Sequence, residues 1–159
     1  MYSKEVLDSY QYDIEKISSC DEKTKIINAR HHLCEVRKYL KKYCGYNDVT
    51  VDSGVAIISK LFIAADEVIS RDEYDFYAAV TDMHISFQEF FNYMKNGKEP
   101  EFKKVARDML SKLIGFDAKN QVVMYGLYLA SSNRIISKYE RDLVDFIFSS
   151  FWDKLSENK

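Results

Sequence analysis

The chain has 159 residues, 47% of them apolar and 30% charged, with five Gly and one Pro; this excludes a disordered chain and, with so few breakers, a strand-and-turn sandwich. A net charge of −2 with no basic stripe argues against nucleic-acid binding, which needs clustered Lys and Arg to displace counterions. One domain is expected at this length, burying about 68–70% of its unfolded surface.

The first ten residues, MYSKEVLDSY, are charged and lack the apolar core of a signal segment. A short helix is predicted from Lys4 to about Ile17. From Ile26 the apolar positions Ile26, Ala29, Leu33, Val36, Leu40 and Tyr43 fall three and four apart, one face of a helix that ends near Gly45. Val51, Val55, Ile58, Phe62 and Ala65 keep the same rhythm and predict a helix from about Val51 to Asp66. The run Val55–Ala65 is broken by Lys60 and falls far short of the ~20 residues that span a bilayer, so no membrane insertion is expected. Next come Ser70–Thr81, a turn, and Ser86–Asn96. The break rests on Ser86-Phe87-Gln88-Glu89, which reads as a capping box. Pro100 suits a first helical position, and Phe102, Val105, Met109 and Leu113 mark the next apolar face, stopped by Gly115. Asp117 is expected to cap a helix to about Ser132, and Ser137 a last one to about Leu155. Cys20, Cys34 and Cys44 are odd in number and have no CxxC spacing, which fits a reduced, cytoplasmic setting.

One turn is written twice. AADEVISRDEYDF begins at Ala64, and SSNRIISKYERDL begins 67 positions later at Ser131. In each copy an apolar helix ends and a new one opens on Ser-x-x-Glu: Ser70 with Glu73, then Ser137 with Glu140. Each pair is a capping box that satisfies orphaned backbone donors. Ile69 and Ile136 stand where a hydrophobic staple belongs, with Tyr74 and Arg141 at its partner position. Thr50 and Asp117, both good N-caps, are also 67 apart. The expected fold is therefore an all-α single helical bundle holding two pseudo-repeated helix-turn-helix units, about 50–80 and 117–147. Capping accounts for the serines, glutamates and isoleucines without any function.

Capping leaves the acidity of the first turn unexplained. Asp66, Glu67, Asp72 and Glu73 crowd one corner, and a bound divalent cation would relieve their repulsion. Ca²⁺ takes about 6–8 oxygen ligands and Mg²⁺ fewer in stricter geometry. The spacing is not that of an EF-hand loop. The second turn carries Arg134, which opposes a cation. If the two turns meet, Arg134 pairs with Asp66 or Glu67 and takes the ion's place there.

These residues resemble a family. Ala65-Asp66-Glu67-Val68-Ile69-Ser70 with Glu73 is similar to the signature of the TerB-like tellurite-resistance proteins, an apolar helix followed by Ala-Asp-Gly-x-Ile-Ser and a Glu three residues on. It is also similar to the N-terminal domain of a DnaJ-like co-chaperone. The second copy, Ser132-Asn133-Arg134-Ile135-Ile136-Ser137 with Glu140, keeps Ile, Ser and Glu. GFDAKNQVVMYGLYLA resembles the helix leading into the family's second copy, so the likeness covers roughly Val51 to Phe151. It implies a bundle of about seven helices, an acidic surface that takes a metal, and a part in bacterial stress response without enzymatic activity. The family's glycine is missing from both copies, and Asn133 replaces its second aspartate. Gly would allow φ > 0 there, so Glu67 and Arg134 imply another turn geometry.

His31 and Cys34 share a helix face, which a metal could exploit, but no further ligand set accompanies them; Cys34 reads as a small buried hydrophobe. No nucleophile elbow can be built around His84, and phosphate-binding glycine loops are absent from the sequence. Residues 145–155, DFIFSSFWDKL, read as a centrally buried helix, the alternative being an exposed strip for a protein partner or a second copy. The leading expectation is a non-enzymatic stress-response binding or scaffolding module with a divalent cation at the acidic turn. A metal-free protein-interaction adaptor is the alternative.

Overall fold

The computed structural model describes residues 2–64, 69–131 and 141–148. Among them run seven helices, α1 (Tyr2–Ser18), α2 (Glu22–Cys44), α3 (Val51–Ile63), α4 (Arg71–Thr81), α5 (Phe87–Met94), α6 (Pro100–Leu110) and α7 (Phe116–Leu129). An eighth helical stretch, α8, covers 141–148, and no strand occurs among the described residues. The all-α bundle is as expected, with one helix more than seven.

Helix α2 is the spine. Its apolar stripe Ala29, Leu33, Val36 and Leu40 is buried, and it packs against α7, α4 and α3. The Asp21 carboxylate accepts the Thr24 N–H at 2.7 Å and caps its start; that bond holds the Asp21 carboxyl below its ordinary range. Gly45, at φ +75°, ends it in the left-handed conformation that glycine adopts without strain. The Arg30 guanidinium donates twice to the Ala79 carbonyl, at 3.1 and 2.6 Å, tying α2 to the end of α4. An Arg37–Asp52 pair at 3.0 Å links α2 to α3.

Helices α3 and α7, which lead into the two copies of the repeated turn, cross each other. At the crossing the Phe62 ring lies on Gly126, so closely that a Cβ there would sit 2.3 Å from three ring carbons. Ser59 Oγ and Tyr125 Oη are hydrogen-bonded at 2.7 Å, and Ser59 also donates to the Val55 carbonyl at 2.7 Å. Gly126 is the repeat equivalent of Ser59, while its contact Phe62 aligns with Leu129. One apolar core runs from Tyr10 and Ile14 of α1 to Val144 and Ile147 of α8. Among the described residues no helix is long and apolar enough to cross a membrane.

Several expectations need correction. Thr50 does not cap α3 with its side chain; it bonds back to Asn47, whose Oδ1 accepts the N–H groups of Val49 and Thr50 at 2.9 Å. That Asx-type turn competes for the hydroxyl and wins. Helix α3 ends at Ile63, earlier than Asp66. Gly115 does not stop α6, which ends at Leu110; it sits at φ +93°, ψ 156° just before α7. Asp117 then lies inside the first turn of α7 rather than at its cap. The two leading helices therefore begin at 51 and 116, not 67 apart. Val105 is 54% exposed, because the stripe of α6 turns through Ala106, Met109 and Leu110 instead. Cys34 is exposed rather than buried. Lys119, fully buried, went unnoticed in the sequence; its Nζ donates to the Leu110 carbonyl at 2.5 Å, at the C-terminal end of α6 where a cation is favoured.

Candidate functional site

The first acidic turn joins α3 to α4. Its second half is built as expected. Ser70 is extended at φ −100°, ψ 160°, its Oγ accepts the Glu73 N–H at 3.2 Å, and the Glu73 Oε1 accepts the Ser70 N–H at 3.0 Å and the Ser70 hydroxyl at 3.1 Å. Both halves of the capping box are thus present. Ile69, just before the cap, packs against the core. The Glu73 side chain is buried in this role, while Asp72 is exposed.

Asp72 and Glu73 line a recess of about 360 Å³, together with Asp75 and Phe76 of the same helix. Its other walls are Glu22 and Lys25 from the start of α2, and Leu129 and Ser131 from the end of α7. Ser131 is the first residue of the second copy of the turn. The end of α7 and the start of α4 therefore share one recess, rich in carboxylates and with Lys25 as the cation among its described lining residues. Arg71 turns away from it, its guanidinium 4.8 Å above the Phe87 ring.

Of the four proposed ligands, Asp72 and Glu73 come together here, and Glu73 is already committed to the helix cap. Asp66 and Glu67 lie outside the described residues, as do Asn133, Arg134, Ile136, Ser137 and Glu140 of the second copy. Among the described residues no three His, Cys, Asp or Glu side chains are grouped to hold a metal ion. That includes His31 and Cys34; the neighbouring His32 pairs with Gln121 at 2.7 Å. His84 is exposed and 3.7 Å from Asp82.

No family model, curated protein or solved structure matches this chain.

The sequence did not announce Glu22, Lys25 or Leu129 as neighbours of the turn, since nothing local says which helix ends will meet. The signal that existed was the repeat itself, which called for an encounter between its two copies. Chemically the described lining of the recess offers the carboxylates of Glu22, Asp72, Glu73 and Asp75, with Lys25 and Ser131 beside them.

Proposed function

We propose that the chain is a non-enzymatic, cytoplasmic, TerB-like helical module that binds a hard divalent cation at its first acidic turn in a stress-response setting such as tellurite exposure. The observation that carries this reading is the shared recess, in which α4 opens beside the end of α7 and carboxylates outnumber cations among the described lining residues. The packing of α3 on α7, the helices that lead into the two copies, brings the first turn and the end of α7 to one side of the bundle. With Glu73 holding the cap, the ligands fall to Asp66, Glu67 and Asp72, and water completes the shell of a hard cation.

Calorimetric titration with Ca²⁺, Mg²⁺ and Zn²⁺ tests it. The chain is expected to bind Ca²⁺ or Mg²⁺ at one site, and Asp66→Asn to weaken that binding at least tenfold. Arg134→Gln is expected to strengthen it by removing the competing charge. No heat from any of the three ions overturns the cation.

The second reading is a metal-free adaptor for a protein partner or a second copy. It draws on the engagement of Glu73 in the cap, which leaves fewer free oxygens at the turn. An unchanged melting temperature with and without each ion, in both the native chain and Asp66→Asn, favours it.

A further inference from the structure

A second and larger depression lies elsewhere, between α1, α2 and α7. Its volume is about 590 Å³, within the range of small-molecule sites. Helices α1 and α7 run in the same direction along it, since Tyr10 donates to Asn120 Oδ1 at 2.7 Å and, further on, Ser18 donates to the Ser131 carbonyl at 3.3 Å. Each contributes a stripe at helical spacing. From α1 come Glu5, Ser9 and Asp13; from α7 come Phe116, Asn120 and Met124.

The two stripes differ in chemistry. The α1 stripe places carboxylates at Glu5 and Asp13, eight residues apart and so about 12 Å along the axis. The α7 stripe, with Val6 and the buried Tyr10, supplies apolar and aromatic surface between them. Among the described residues no Lys or Arg lines the groove. His32 completes the lining, held by a hydrogen bond between its Nδ1 and Gln121 Oε1 at 2.7 Å. Carboxylates spread along about 12 Å, with no three His, Cys, Asp or Glu grouped for an ion among the described residues, do not suit a bare metal.

We propose that this groove binds a linear aliphatic polyamine. Its methylenes lie against Tyr10, Phe116 and Met124, and its terminal ammonium groups meet Glu5 and Asp13. Burial already pushes the Asp13 carboxyl above its ordinary value, against the opposing pull of Lys16 and His32, so an arriving cation finds a carboxylate short of solvation. The site is separate from the acidic turn, and its test does not depend on that reading.

Spermidine titrated calorimetrically into the full chain at low salt is the experiment, with diaminopropane and butylamine as shorter and singly charged probes. Spermidine is expected to bind one site. Asp13→Asn and Glu5→Gln, isosteric changes at side chains that are not fully buried, are each expected to weaken it about tenfold, the loss of one charge-assisted hydrogen bond. Asp72→Asn, in the other acidic recess, is expected to leave it unchanged. Diaminopropane, too short to span both carboxylates, is expected to bind no better than butylamine. Absence of binding overturns the proposal. So does an equal loss in Asp72→Asn, which marks diffuse attraction to an acidic surface, and so does equal affinity for spermidine and diaminopropane. Circular dichroism of each variant separates lost binding from lost fold.

Discussion

Replacing Gly126 with alanine sets two effects against each other. Alanine is the better helix former by about 0.8–1.0 kcal/mol, so at an open site in α7 it would stabilise. Here the new Cβ would stand 2.3 Å from Cδ1, Cδ2 and Cε1 of Phe62. Carbon atoms prefer roughly 3.5–4.0 Å, so the whole ring must retreat by more than about 1 Å. Phe62 is 2% exposed and enclosed by the core, which leaves it little room. Overpacking of this kind costs about 1–3 kcal/mol, and a three-atom clash belongs at the upper end. The net expectation is a loss of about 2 kcal/mol, or roughly 4–8 °C in melting temperature at this chain length. Urea and thermal denaturation followed by circular dichroism read it directly. Adding Phe62→Leu should make the double variant more stable than the sum of the single losses, by about 1 kcal/mol or more. A neutral or stabilised Gly126→Ala would refute the close crossing of α3 and α7.

Other outcomes follow from the same contacts. Ser59→Ala should cost about 1–3 kcal/mol, because it strips the fully buried Tyr125 hydroxyl of its partner; Tyr125→Phe should cost less on this account, since Ser59 keeps its bond to Val55. Equal losses in chemical denaturation would contradict that asymmetry. Ser70→Ala should cost about 1 kcal/mol by removing the cap of α4, and Ser70→Asp should restore most of it. Burial pushes the Tyr77 hydroxyl up to about 12, with Tyr93 adding to it, and burial raises Tyr10 and Tyr125 as well. A folded-state value above the unfolded value near 10 means that this stability is complete below about pH 10 and is lost as pH climbs through about 12. Tyrosinate absorbance should therefore rise together with unfolding; ionisation of these tyrosines in a chain still folded would contradict their burial.

What the sequence could reveal was whatever is written locally. The stripe of α2, the box at Ser70 and Glu73, Pro100 at a helix start and the break before Ser86 each depend on residues within a few turns of one another. Misreadings arose where two local signals competed. Thr50 is a good cap, yet Asn47 captured it; Asp117 is a good cap, yet Gly115 supplied the φ +93° that the entry to α7 uses. Val105 and Ala106 both fit a helical stripe, and the smaller one faces inward. The environment of the acidic turn was half legible: the repeat implied that its copies belong together, but the contributions of Glu22 and Lys25 depend on how α2 meets α4 and α7. The groove along α1 was invisible for the same reason. Glu5 and Asp13 become a pair only when Phe116 and Met124 are laid beside them.

The cation at the first turn is tested most directly by titrating Ca²⁺ into isotope-labelled protein and following the backbone amide resonances. The account predicts saturable shifts confined to the stretch from Asp66 to Asp75 and to the end of α7 near Ser131, and their disappearance in Asp66→Asn. Shifts that persist in that variant, or that fall on the carboxylates of α1 instead, would contradict it.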